Sequence, residues 1–413
     1  MPNQLSTPTG EFEQVASPQY NGSNSTYSID QIYKPQETRQ NTITTSCLCR
    51  SILPVIFMIC IVIGILGAIG TFSSQGKVLR TLNNPLSLNA ETLPPNAPNV
   101  SCASRGTFLS NASCKVCPKR SKVFAVYWET PIDCLDFTKS SAATYVTHIY
   151  WSFAWMETNG SVSNILAGKL AMIKTCIAQA RSQCIKSYIS IGGVNMRWAF
   201  LSLTSSSKIA DFASSAAQIV VGYGFDGIAI NDVSGNLHSQ GNWKKYAGPN
   251  VLAYLTSLKV ELNQLPRSND EPVYELTWDE FPTSLNDNCD TTFGDYQRCF
   301  DVRVASIVDR INLLMYNAPS SVDYDNYLDV ILPTQWAKVV NVNKIVLGGC
   351  IGPVGSPGGC AYGAVPTSTQ LLSYATQGAK NYGGVIIWTG SRDFIVNQGA
   401  VTIAMGSTGG YLN

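Results

Sequence analysis

Between Lys122 and Gly390 the chain repeats one alternation eight times, and that alternation limits what it can fold into. Short runs rich in β-branched and aromatic residues read VFAVYW (123–128), THIYWSFAW (147–155), SYISIGG (187–193) and FDGIAIND (225–232). They continue as YELTW (274–278), INLLMYN (311–317), KIVLGG (344–349) and GVIIWTG (384–390). Segments of helical character, such as ILAGKLAMIKTCIAQAR and SKIADFASSAAQIVVGYG, lie between them. Runs of the first kind are strands, and strands that alternate with helices build parallel sheets. Eight such units over about 290 residues match the size and order of an α/β fold of the (β/α)8, or TIM-barrel, kind. A doubly wound open sheet would show the same alternation, but no GxGxxG follows the first run. In a barrel the working groups stand at the C-terminal ends of the strands.

Upstream of the barrel, residues 52–72 (ILPVIFMICIVIGILGAIGTF) carry no charge. They are long enough to cross a bilayer as a helix. A buried core helix would keep a polar face, and a cleaved signal would sit at the extreme N-terminus. We therefore expect a transmembrane signal-anchor over 51–72. It follows a disordered cytosolic tail (1–50) rich in Gln, Ser, Thr, Asn and Pro. A Pro-rich stalk with cysteines (73–120) then leads to the barrel (121–413). Lys34, Arg39 and Arg50 precede the run while Lys77 and Arg80 follow it, so flanking charge barely sets the orientation. Sequons at Asn99, Asn111 and Asn159 favour an extracellular or lumenal C-terminus, whereas those at Asn21 and Asn24 point the other way. The expectation is a single-pass type II membrane glycoprotein. Gly64 and Ala68 form one small-xxx-small step, a candidate face for a homodimer. Cys47 and Cys49 stand beside the run, where palmitoylation is one alternative and bystander thiols the other.

The thirteen cysteines divide unevenly: Cys47, Cys49 and Cys60 lie in or beside the apolar run, and the other ten all follow it. An even number on one side is the mark of oxidised pairs. Cys114 and Cys117 form a CxxC, but no second pair with zinc-site spacing accompanies it, so disulfides are favoured over metal. Cys289 with Cys299, and Cys350 with Cys360, each bracket a short loop and are candidate local staples. His148 and His238 stand alone, and no metal or cofactor is expected. Net charge is +1 with no basic run, which removes nucleic acid as a partner.

Four strand ends carry a resemblance. Ser190-Ile191-Gly192-Gly193 is similar to the SxGG of glycoside hydrolase family 18, the chitinases and their non-catalytic relatives. Phe225-Asp226-Gly227-Ile228 opens like that family's DGxDxDxE strand. Tyr316-Asn317 with Pro319 resembles the tyrosine motif of the plant class III branch, and Trp388 sits like the tryptophan that floors the sugar site. The likeness spans nearly all of residues 122–395. In the family as the resemblance implies it, three acids alternate along strand 4, since residues two apart share a face. The last, a glutamate, protonates the glycosidic oxygen, while the substrate's own acetamido group attacks the anomeric carbon.

In this chain those three positions are Ala229, Asn231 and Val233. Losing a positioned general acid costs roughly 10²–10⁴-fold, and the electrostatic partners go with it. Asp232 is one residue off register and is expected to face the helices unless a bulge turns it inward. The resemblance thus implies a catalytically inactive chitinase-like protein that binds N-acetylglucosamine-type glycans, or a protein partner, at the barrel mouth. The candidate ligand-binding residues are Tyr127, Asn231, Trp278, Tyr316, Asn317 and Trp388, with Trp278 either lining the cleft or blocking it. Trp151 and Phe153 are read as core. Two other readings stay open. One is an active hydrolase with relocated carboxylates such as Glu157 and Asp279; the other is a structural or adhesion ectodomain with no glycan site.

Overall fold

The computed structural model describes residues 102, 104–110, 113–130, 132–163, 169–235, 242–290 and 298–412. The tail, the apolar run at 51–72 and most of the stalk lie outside the described residues, as do Asn99, Asn111 and His238. Among the described residues no helix is long and apolar enough to cross a membrane.

A hairpin of β1 (Thr107–Ser110) and β2 (Ser113–Val116) comes first. The barrel strands follow: β3 (Val123–Glu129) and β4 (His148–Met156), with a two-residue strand β5 (Val162–Ser163) folded back on β4. The next three are β6 (Lys186–Gly192), β7 (Gly227–Asn231) and β8 (Glu275–Glu280). The last three are β9 (Arg310–Leu314), β10 (Ile345–Cys350) and β11 (Gly384–Trp388). All eight expected runs are strands. They pair in parallel from β3 through β4, β6, β7, β8, β9 and β10 to β11, and β11 pairs with β3 to close the barrel. Closure removes the sheet edges, and each strand then splits its residues between two faces.

The outward set is apolar and packs under the helices: Phe124, Val126 and Trp128 on β3, and Ile228 and Ile230 on β7. The inward set is separate and small: Ala125, Tyr127, Tyr150, Tyr188, Ala229, Val346 and Ile386 meet along the barrel axis. The helix Ser206–Tyr223 illustrates how the outer layer is punctuated. Ser205 caps its first turn through Lys208 N, and Gly224 ends it in the left-handed region. That return delivers the chain straight into β7. Gly227 is required there, since a Cβ would lie 2.3 Å from the Glu275 carbonyl on the neighbouring strand.

Five disulfides join all ten cysteines beyond the apolar run: 102–114, 117–184, 134–176, 289–299 and 350–360. The stalk reading to residue 120 is corrected by the second of these. From Ser104 on, the segment is a hairpin fastened to the barrel by Cys117–Cys184. The buried Arg105 adds to the hold, 3.8 Å from Asp226 and stacked 3.6 Å from the centre of the Tyr274 ring. Asn159, the one candidate sequon among the described residues, is exposed in the turn between β4 and β5, its side chain accepting from Ser161.

Candidate functional site

The C-terminal ends of the strands surround a pocket of about 200 Å³. Asn231, Val233, Tyr316, Asn317 and Trp388 form part of its wall, and Phe153, Phe281 and Tyr362 are among the other residues that line it. The register explains the first group. On β7 the inward residues are Gly227, Ala229 and Asn231, so Asn231 reaches the mouth and Ala229 lies below it, fully buried in the barrel axis.

Asn231 is held from behind. Its Nδ2 donates to Asp279 Oδ2 at 2.6 Å, the Tyr127 hydroxyl donates to the same oxygen at 2.5 Å, and Asn312 Nδ2 donates to Oδ1 at 2.7 Å. Asp279 is 2% exposed and is no part of the pocket wall. Burial pushes its pKa up to about 6, against the lowering effect of the three donors. An ionised carboxylate only accepts, so it fixes the Asn231 amide with its nitrogen inward and leaves the carbonyl oxygen to face the mouth. Tyr316 is also buried; burial first, then the negative Asp279, keep its hydroxyl well above the ordinary value, so it remains a donor. Asn317 takes a left-handed backbone (φ 59°), and its side chain accepts from Ala361 N at 2.8 Å. Together with Cys350–Cys360, that contact fastens the loop that brings Tyr362 to the wall.

The aromatic wall is a stack. Trp388 lies 5.6 Å from Phe153 at an interplanar angle of 23°, its indole N–H donating to the Gly359 carbonyl. The glycines of the SIGG stretch make room for this. Gly193 has φ +86°, and a Cβ there would sit 2.9 Å from the Phe153 ring.

Three sequence expectations need correction. Trp278 neither lines nor blocks the cleft. It alternates with the inward Thr277 and Asp279, so it faces the helix layer, where Arg298 lies over its ring at 4.2 Å. Tyr127 is fully buried beneath Trp388, 5.1 Å between ring centres, and meets Asp279 instead of a ligand. Phe153, read as core, reaches the pocket because the β4–β6 register shifts between Ser152 and Ala154.

The spare acids are all engaged elsewhere or remote from the wall. Asp232 turns outward, accepting from Tyr254 at 2.7 Å and lying 3.1 Å from Arg298. The Arg298 Nη1 approach is an ion pair without hydrogen-bond geometry. Glu280 shares the same guanidinium at 3.3 Å. Glu157 is exposed in the turn after β4. Among the described residues of the pocket wall, none is acidic.

A closed parallel eight-stranded barrel with an aromatic pocket at its C-terminal mouth is the architecture of the family 18 glycoside hydrolases. Residues 123–341, just over half of the chain, match the model of "Glycosyl hydrolases family 18", and the protein belongs to that family. Solved structures agree in fold. A chitinase from Cycas revoluta in complex with (GlcNAc)3 aligns with a TM-score of 0.53 at 16% identity, covering 68% of this chain and 99% of that one. A chitinase from Rhizomucor miehei gives 0.50 at 19% identity, covering 70% and 100%. A chitinase-like agglutinin from Robinia pseudoacacia gives 0.51 at 14% identity, covering 69% and 99%. No curated protein matches the chain.

Proposed function

We propose that this protein is a membrane-anchored, catalytically silent family 18 member that holds an N-acetylglucosamine-type glycan in its mouth pocket. The observation that carries the reading is the row Ala229, Asn231 and Val233 on and just beyond β7, beside a pocket wall without an acid among its described residues. Valine has no proton to transfer, and Asp279, the nearest carboxylate behind the wall, is sealed by three donors and 2% exposed.

What remains suits neutral sugar. Aromatic faces such as Trp388 and Phe153 stack on the C–H face of a ring, and the Asn231 carbonyl and Tyr316 hydroxyl supply an acceptor and a donor for an acetamido group. The volume, about 200 Å³, lies below the roughly 300–1,000 Å³ of drug-sized sites and favours one sugar unit over a threaded polymer. Anchoring rests on the uncharged run 52–72, and a homodimer through Gly64 and Ala68 is the extension of it.

The test is calorimetry of the full chain with chitotriose, followed by mass spectrometry of the sugar. Saturable binding with intact sugar is expected. Fragments released by the wild type and not by Asp279→Asn would replace this reading with that of a hydrolase using a relocated acid. No heat would leave a scaffold without a glycan site.

A further inference from the structure

The larger chamber is at the other end of the barrel. It measures about 470 Å³, within the range of small-molecule sites, and lies between the hairpin end (Cys117–Arg120) and the N-terminal ends of the strands. Cys117–Cys184 pins one wall to the other, so the space is held open before any ligand arrives.

Its charges do not balance. On the barrel side Arg310 and Lys186 share one carboxylate, Glu275. Arg181 and Arg105 share Asp226, with Glu271 as a second partner for Arg105. His148, between them, stays neutral: burial first, then Arg310 and Lys186, keep its pKa well below the ordinary value. On the hairpin side Lys119 and Arg120 have no carboxylate partner among the described residues. Among the described residues Arg120 donates only to the Leu412 carbonyl. Asp270, at the rim, is exposed and makes none of these pairs.

The guanidinium groups are also under-used. The Nε–H groups of Arg120, Arg181 and Arg310 are buried without an acceptor among the described residues. Burial lowers the Arg120 pKa, the mark of a cation withdrawn from water without a compensating charge. A buried donor left unmet carries a desolvation cost that a charged acceptor removes.

We propose that this chamber is a second ligand site, for a small molecule bearing two or more oxyanion charges, which Lys119 and Arg120 clasp against the Arg310 end of the barrel. It is independent of the glycan pocket. The wall is too enclosed and the chain too nearly neutral for a nucleic acid, whose capture needs an extended basic face.

Full chain is titrated calorimetrically with sodium pyrophosphate and, separately, sodium citrate, each against sodium chloride at equal ionic strength. Saturable one-site binding and a raised melting temperature are expected for at least one. Pyrophosphate alone assigns tetrahedral oxyanions, and citrate alone assigns carboxylates. The double substitution K119Q/R120Q should weaken that binding by about tenfold or more, with chitotriose binding unchanged. If the pair fails to fold, K119Q alone, at an exposed position, should weaken binding a few-fold. No heat beyond the chloride control with either anion overturns the proposal. So does undiminished binding by the variant, since the anion would then lie elsewhere.

Discussion

The two ends of the barrel are built from the same strands and have opposite chemistry. At the mouth, β7 and β11 present Asn231 and Trp388 to an aromatic pocket whose described wall contains no acid. At the floor, β6, β8 and β9 present Lys186, Glu275 and Arg310, a knot of charges inside the barrel, whereas the charges at the mouth end, Arg298 with Asp232 and Glu280, face the helix layer. Burial alone would raise the Glu275 carboxyl, yet Arg310 and Lys186 hold it well below the usual range. Asp279, two pairs of residues up the same strand face, has no cation as its direct partner and goes the other way, to about 6. The lesson is that burial alone does not set a carboxylate's state; the neighbouring charge decides it.

That contrast can be broken most severely at the floor. Glu275→Ala leaves Arg310 and Lys186 facing each other in a half-buried site and should cost about 3 kcal/mol in chemical denaturation, the low end for a buried pair because Lys186 keeps a third of its side chain exposed. A loss under 1 kcal/mol would mean that water, not Glu275, balances the floor.

The next largest effect is a pH signature at the mouth. The folded pKa of Asp279 is about 6, above the ordinary 3.8, so the native state binds its proton more tightly than the unfolded chain. The stabilisation is complete below the unfolded value and is lost as pH rises through 6. Wild type should therefore gain about 2.5 kcal/mol relative to Asp279→Asn as pH falls from 7.5 to 4. A wild type that loses ground instead would show that the three donors outweigh burial.

Smaller effects concern ligand affinity. Trp388→Ala should weaken chitotriose about thirtyfold, the worth of about 2 kcal/mol of aromatic cover, and leave pyrophosphate binding at the floor unmoved. Tyr316→Phe removes one hydroxyl and should weaken chitotriose about fivefold by calorimetry. Equal affinity in that variant would remove Tyr316 from the donor set.

Much of the architecture was readable along the chain. Eight runs of β-branched and aromatic residues became eight strands because local pattern and burial agree in a closed barrel. The shared face of Ala229 and Asn231 was legible too, since period-two spacing on β7 puts them on one side whatever surrounds them. Trp278 was not. The inner face of β8 is Glu275, Thr277 and Asp279, all polar, and its outer face is Leu276, Trp278 and Glu280. Alternation defines two faces without saying which is inward. Phe153 failed for another reason: a register shift is a property of the β4–β6 pair and leaves no mark on β4 alone.

By itself the sequence determined the strand count and which residue types, Ala229 and Asn231, share the inner face of β7, because each follows from neighbours a few residues apart. Only the tertiary structure decided that Asp279 sits behind Asn231, and that Arg298 draws Asp232 and Glu280 into the helix layer. It alone brought the hairpin under the barrel to enclose a charged chamber. Those outcomes join residues tens to hundreds of positions apart, and their energies come from desolvation and charge pairing, which exist only once the chain has closed around them.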